Sequence, residues 1–591
     1  MHHGHGDDEQ DPKEKIDYRA TFRLILSLMK PRKAAFALAF AYMAASTLIS
    51  LANPIVAKYI IDTAIPAKDS RMLLLATAVF FGNTVLFLIF NYLLVLQLVR
   101  TGQDIMVSLK ERMLSHMLGL DLDYYSANPV GRLTARVQSD TSTLYALFTN
   151  TAVTIFNDAL MFLAVFGIMA FYNLKLTLVL LPVFPAILAL TWVYVRVTSP
   201  LSITVRKLTA EVSAFLTEQL NGIGVIQAFS REANTSARME TLNERKFSAE
   251  MRNEIYVVVF FLTVLFLHPA ATAAVFGLGG TMVIKGTLTV GVLVMFILYL
   301  GQLFEPIFRF SEHISIIQRS FSAGHRISRI LALRPALVEP KKPHFLTSVK
   351  DGIEFRNVWM RYGKESEWVL KDVSFSLPRG RSMAIVGETG GGKTTVTSLL
   401  FRFYDFEKGH VEIDGTDVRR LSLKSLRSAI GLVQQDIYLF PGTVMDNLKM
   451  MDSSIPDARV HEAIRLMGLE AFFKKHPLTK KVVEKGANLS IGEKQVVSLA
   501  RAMVLDQEVL VLDEATSHMD PYTERLITGA IKHLLKHKTL IIIAHRLSTV
   551  RNVDRILMVS GGEVKESGTH GELLAAGGLY SKYYKLQFGD T

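Results

Sequence analysis

The chain has no cysteine among its 591 residues. Disulfides and thiolate metal sites are therefore excluded. Charge is also scarce: 20% of the residues are charged and half are hydrophobic, too apolar a balance for an ordinary soluble enzyme of this size. Acidic residues are the minority, 54 against 66 Lys and Arg, for a net charge of +12. No internal repeat is evident, so each part described below is present once. A cleavable signal peptide is not expected, because the N-terminus is polar and the first apolar run continues as a span. The opening MHHGHGDDEQD is expected to be a disordered tail; its three His residues could hold a metal, but a floppy tail is the simpler reading.

What is present lies mostly before residue 325. Six apolar stretches fall at about 34–62, 72–99, 149–171, 176–197, 254–284 and 289–310. Roughly 20 apolar residues cross the hydrocarbon, so each reads as a membrane span. The stretch YRATFRLILSLMK (18–30) before the first is amphipathic, ends at Pro31 and reads as an interfacial helix. The short connections after the first, third and fifth spans carry few basic residues: Lys68 and Arg71, then Lys175, then Lys285. The other segments carry many, among them Arg100, Lys110, Arg112, Arg132, Arg136, Arg206, Lys207, Arg231 and Arg238. The positive-inside rule puts these segments and both termini in the cytoplasm. This distribution accounts for much of the net charge, so a nucleic-acid partner is not expected. The two basic segments keep helical periodicity over about 50 residues each and read as extensions of the membrane helices.

The chemistry-bearing residues come later. Residues 387–395 read GETGGGKTT, a G-x-x-x-x-G-K-T match. The apolar run SMAIVG (382–387) reads as a buried strand feeding this loop, Gly387, Glu388, Thr389, Gly390, Gly391 and Gly392, with a helix opening at Lys393. The glycines let backbone N–H groups close on a β-phosphate, and the helix points its positive end at the same anion. Lys393 would reach the β- and γ-phosphates; of Thr394 and Thr395 behind it, Thr394 would ligate Mg²⁺. A second buried strand, VLVLDE (509–514), ends in Asp513, suited to the Mg²⁺ shell, and Glu514, suited to polarising the attacking water. Between them, about twenty residues before that strand, stands NLSIGEKQ (488–495).

A phosphate loop alone is shared by many nucleotide-binding proteins, but an L-S-x-G-x string ahead of an apolar run ending in Asp-Glu is far narrower. With these three strings in this order the chain resembles the ATP-binding cassette (ABC) superfamily, over nearly its whole length. The resemblance implies an α-helical membrane domain of six long transmembrane helices followed by an α/β ATP-binding domain. The plan is a tail over 1–17, a membrane domain over 18–325 with an elbow helix, a proline-bearing linker over 326–350 and the ATP-binding domain over 351–591. YYSANPVGRLTARVQSD (124–140) and FLTEQLNGIGVIQAFSRE (215–232) resemble the exporter loops that carry coupling helices, expected near 128–134 and 216–224.

Further roles follow from the same resemblance. Tyr362 would stack on adenine. Gln435 would touch Mg²⁺ and face the membrane domain. Ser517 and Asp520, in SHMD, match the loop that crosses a dimer interface. His545 matches the switch histidine at the γ-phosphate. Two cassettes face head to tail in the family, so a second half-transporter is implied. The signature departs from the usual L-S-G-G-Q: it is Leu489-Ser490-Ile491-Gly492-Glu493. Ser490 and Gly492, expected at the partner's ATP, are retained. Ile491 adds bulk where glycine allowed close approach, and Glu493 places a carboxylate near an opposing nucleotide. These departures favour a heterodimer in which this signature serves the slower site; the alternative is a tolerated variant in a homodimer.

The implied activity is ATP-driven export of amphipathic small molecules or lipids across the cell (inner) membrane. A dedicated lipid or lipopolysaccharide flippase is the alternative, and an ATP-gated channel or regulatory subunit is the rival from another class. Cargo contacts are sought among polar residues inside spans, which are costly in lipid. These are Asp158, Asn83, Asn91, Asn157, His268 and Glu305, each with a competing reading as an interhelical hydrogen bond or kink partner. Phe260, Phe261, Phe266, Met295 and Phe296 suit an apolar cavity wall.

Overall fold

The computed structural model describes residues 17–513, 520–544 and 550–588. The chain forms two compact units. One holds residues up to Leu118 together with Pro129–Leu333; the other joins Gly119–Asn128 to the residues from Arg334 onward. The tail expected over 1–17 lies, up to residue 16, outside the described residues.

The first unit is helical throughout its described length. Its opening helix, Tyr18–Met29, begins where the Asp17 carboxylate accepts from the Ala20 N–H at 2.9 Å. It buries Thr21, Leu24, Ile25 and Leu28, a stripe at helical spacing, and gives way at Pro31 to a tight turn, Lys30–Arg32. The amphipathic helix expected ahead of the first span is therefore present. Longer helices follow at Lys33–Tyr59, Ser70–Leu118, Ala152–Tyr172, Val183–Asn221, Glu232–Ile284 and Val290–Ala332. Those of 49 and 53 residues run about 70–80 Å at 1.5 Å per residue, more than twice a hydrocarbon core of about 30 Å. The basic segments are thus continuations of the membrane helices.

Three expectations change here. Among the described residues, five helical stretches are long and apolar enough to cross a membrane; the sixth expected span contributes the shorter apolar stretch Val290–Pro306. The linker expected from 326 begins as helix, because Val290–Ala332 continues through it and the units divide at Leu333. A short helix, Val130–Ala135, coincides with the expected 128–134, but the segment that belongs to the second unit is Gly119–Asn128, with its own helix Leu122–Ala127. In the other loop the long helix persists to Asn221, Gly222 breaks it, and the short helix is Ile223–Ala228 rather than 216–224.

Met295 and Phe296, read as cavity wall, are fully buried in a cluster with Leu51, Val165, Met169 and Tyr299. Tyr299 Oη donates to the Leu51 carbonyl at 2.6 Å, which satisfies the phenol inside that cluster. In one dimension an apolar run reads alike whether it lines a cavity or packs into a core. Phe261 and Phe266 remain exposed, and Phe260 stacks on Tyr194 at 4.3 Å.

The second unit is α/β. Its strands are β1 (Gly352–Met360), β2 (Leu370–Pro378), β3 (Ser382–Gly387), β4 (Lys408–Ile413), β5 (Thr416–Asp417), β6 (Ile430–Val433), β7 (Gly442–Thr443), β8 (Lys481–Val482), β9 (Val509–Asp513), β10 (Thr539–Ile543), β11 (Arg555–Ser560) and β12 (Glu563–Gly568). The main sheet runs β12-β11-β3-β10-β9-β6, parallel except for β12; a second sheet runs β2-β1-β4-β5. The central strands are apolar runs because both faces are covered. Side chains alternate between two cores: Ala384, Val386, Leu510, Leu512, Leu540 and Ile542 pack on one side, and Met383, Ile385, Val509, Val511 and Ile541 on the other.

Candidate nucleotide site

The parallel register brings the site together at one edge. Ile543 pairs with both Asp513 and Ile385, and Val433 pairs with Leu512. Strands β3, β9, β10 and β6 therefore end at the same carboxyl edge of the sheet, where open α/β sheets bind ligands. That edge carries the phosphate-loop residues after β3, Asp513 at the end of β9, and Gln435 just beyond β6. Gln435 is exposed there. Glu514, Ser517 and His545 lie outside the described residues, although the strands that lead to Glu514 and His545, β9 and β10, end at this edge.

The phosphate loop is built as its sequence demands. Gly392 caps the helix Lys393–Leu400 with φ 97°, and a Cβ there would stand 2.7 Å from Leu370 Cδ2. Only glycine fits both the left-handed backbone and the close approach. Lys393 is 5% exposed, and its Nζ donates to the carbonyls of Gly387 and Glu388, each at 2.8 Å. Its ammonium is thus held in the mouth of the loop. Thr394 is exposed on the first helical turn, while Thr395 is buried and its hydroxyl lies 2.9 Å from Tyr362 Oη. Tyr362 is half-exposed and meets Tyr404 edge-on at 4.9 Å. The structure thus joins the tyrosine to the phosphate-loop helix. In the same unit, burial holds the Tyr404 phenol above its ordinary pKa, opposed by a hydrogen bond with Ser126.

The signature opens the helix Ile491–Val504. Ser490 is its N-cap, and the capping box is complete: Ser490 N–H donates to Glu493 Oε2 at 2.8 Å, and Glu493 N–H to Ser490 Oγ at 3.2 Å. Glu493 Oε1 lies 3.1 Å from His476 Nε2. Both carboxylate oxygens therefore have partners within the chain. Leu489 is buried, Ile491 is 58% exposed, and Gly492 is buried against Thr523, where a Cβ would come within 2.6 Å of Cγ2. Asp520 caps the helix Pro521–His537 by accepting from the N–H groups of Tyr522 and Thr523 at 3.1 and 3.0 Å. Its bonds to Thr523 hold its carboxyl below the usual range.

The membrane candidates separate. Asn83 Nδ2 donates to Asn53 Oδ1 at 2.6 Å and to the Ile49 carbonyl at 2.7 Å, and Asn157 Oδ1 accepts from Thr47 Oγ1 at 2.6 Å. Both are engaged in fastening helices. His268 meets Phe304 edge-on at 5.1 Å, next to Pro269 inside its helix, and Glu305 is exposed beside Pro306. Asp158 Oδ2 lies 4.0 Å from His313 Nε2, with both side chains largely buried. Sequence reading missed His313 because it stands past the expected end of the last span. It also missed His476, whose partner lies across the fold.

Comparisons with known proteins agree with this arrangement. Residues 36–307 match the family described as the ABC transporter transmembrane region, and residues 370–517 match the ABC transporter family. An uncharacterised ABC transporter ATP-binding protein of Bacillus subtilis is 32% identical over 96% of this chain and 94% of its own length. An ATP-dependent lipid A-core flippase of Desulfotalea psychrophila is 32% identical over 90% of this chain and 93% of its own. A solved bacterial Atm1-family ABC exporter with ATP bound superposes with a TM-score of 0.77 at 27% identity, covering 94% of this chain and 99% of that one. A membrane-embedded helical region and an ATP-binding unit on one polypeptide, matched end to end by such relatives, place the chain in the ABC transporter family as a multi-pass membrane protein that couples ATP hydrolysis to transport.

Proposed function

We propose that the chain is a half-transporter of the exporter type, moving amphipathic small molecules or lipids by alternating access between two such chains. The observation that carries this reading is the separation of parts. Phosphate loop, Asp513 and Gln435 gather at one sheet edge, whereas Ser490 caps a different helix. An exposed signature serine at the start of a helix of its own suits a partner's nucleotide that completes the site. ATP binding draws the cassettes together and turns the cavity outward; hydrolysis resets it. Val290–Ala332 serves as the sixth span, and the cassette and both termini face the cytoplasm. Ser490 and Ile491, both exposed, form the surface offered to the partner.

Thr394, Gln435 and Asp513 supply a hydroxyl, an amide carbonyl and a carboxylate, an all-oxygen donor set that suits Mg²⁺. The ion would neutralise charge on the β- and γ-phosphates. Lys393 and the loop N–H groups position those phosphates, Tyr362 supports the adenine, and Glu514 and His545 act on the water and the γ-phosphate.

A homodimer is the first reading of the partner. The heterodimer inferred from the signature rests on Ile491, which is exposed, and on Glu493, which is engaged by Ser490 and lies against His476. The purified full chain, alone in lipid nanodiscs with MgATP, is expected to show ATPase activity cooperative in ATP and stimulated by amphipathic compounds. Activity that requires a second, different half-transporter would establish the heterodimer, and no ATPase under either condition would overturn the exporter reading.

Cargo charge is assigned to Asp158. Asp158→Asn is expected to reduce export of cationic compounds several-fold more than neutral ones, with basal ATPase retained. An equal loss for all compounds would make the Asp158–His313 pair structural.

A further inference from the structure

We propose that Lys480 and His476 are positioning residues for the signature serine, holding Glu493 charge-compensated so that Ser490 is presented to the partner's nucleotide. The inference rests on the reading that this signature completes the partner's ATP site.

The geometry is a chain of close polar contacts. Lys480 Nζ lies 3.3 Å from His476 Nδ1, His476 Nε2 lies 3.1 Å from Glu493 Oε1, and Glu493 Oε2 accepts from Ser490 N–H at 2.8 Å. A lysine ammonium only donates, so Nδ1 must accept. A neutral imidazole then carries its proton on Nε2, the nitrogen that lies 3.1 Å from the carboxylate. The side chains of His476 and Glu493 are 13% and 21% exposed, and the imidazole stacks on the buried Phe472 ring at 4.7 Å and 24°. Burial, opposed by Glu493 and reinforced by Lys480 and Lys475, holds the His476 pKa below its ordinary value, in keeping with the neutral ring.

The arrangement answers a problem the sequence poses. A carboxylate in the signature repels phosphate unless positive charge is matched to it. Here the helix N-terminus and the ammonium relayed through His476 both offset that charge. The carboxylate is also kept bonded to the Ser490 backbone, which fixes the residue expected at the γ-phosphate.

The test is a double-mutant cycle on the full chain in lipid nanodiscs, reading kcat and KM for MgATP. His476→Phe keeps the ring stack and removes the donor. It is expected to lower kcat/KM about ten-fold, the size of effect of one close polar contact to a charged group, partly through a raised KM. The same substitution in a Glu493→Gln background is expected to cost less than two-fold relative to Glu493→Gln alone, because a neutral amide needs no compensation. Should His476→Phe fail to fold, judged by melting and gel filtration, Lys480→Met carries the same cycle with the same pattern. Ser490→Ala is the reference. Loss of activity in Ser490→Ala with none in His476→Phe would overturn the inference and leave the signature reading standing. An equal loss for His476→Phe in both backgrounds would make the histidine merely structural. Full activity in Ser490→Ala would overturn the signature reading, and the inference with it.

Discussion

Glu514→Gln is expected to leave ATP bound but scarcely cleaved. By the family resemblance, Glu514, which follows Asp513 at the end of β9 in the sequence, would polarise the attacking water. Glutamine is nearly isosteric but cannot accept the proton. General-base catalysis of this kind is worth about 10²–10⁴-fold, so kcat is expected to fall by that factor. Lys393 and the glycine loop are untouched, so ATP affinity should stay within a few-fold, and the dimer should accumulate with its cassettes together. Phosphate release and binding of labelled ATP, measured on one preparation, check this. Turnover near that of the unmodified chain would remove Glu514 from the role.

Lys393→Ala is expected to fail earlier, at binding. The ammonium is buried and donates to two loop carbonyls at 2.8 Å, so truncation removes the charge aimed at the phosphates and strips the Gly387 and Glu388 carbonyls of a donor. Removing one partner from a buried charged hydrogen bond costs about 2–5 kcal/mol, which corresponds to roughly 30- to 4000-fold. ATP affinity and ATPase activity should therefore fall together. Melting of the protein without nucleotide separates this from unfolding. An unchanged dissociation constant for ATP would contradict the assignment. The two variants form a pair, since the first holds nucleotide without chemistry and the second scarcely holds it.

Much of this was legible in one dimension, because the information is local. GETGGGKTT dictates a strand, a left-handed turn and a helix within a few residues, and Gly392 behaves as that string requires. Apolar runs mark buried parallel strands and membrane helices alike, and the amphipathic stripe of Tyr18–Met29 is readable from helical spacing. Boundaries were less legible. The helix ending at Ala332 runs on through Pro306 and through charged residues such as Glu305, Arg319 and Arg326, so neither proline nor charge marked its end in the sequence.

The sequence by itself determined the family motifs, the apolar stretches, and the residue types offered to phosphate and Mg²⁺. Only the tertiary structure decided which polar residues are already engaged. Asn83 and Asn157 read like cargo ligands until their partners, Asn53 and Thr47 on another helix, come into view. Met295 and Phe296 read like a cavity wall until both prove fully buried. Glu493 read as a threat to the opposing nucleotide until its two oxygens were seen turned toward Ser490 and His476. The physical reason is the same each time. A side chain's chemistry is fixed by its identity, but whether that chemistry is available depends on the partners the fold supplies, most of them distant in sequence, and burial compels polar groups to find them.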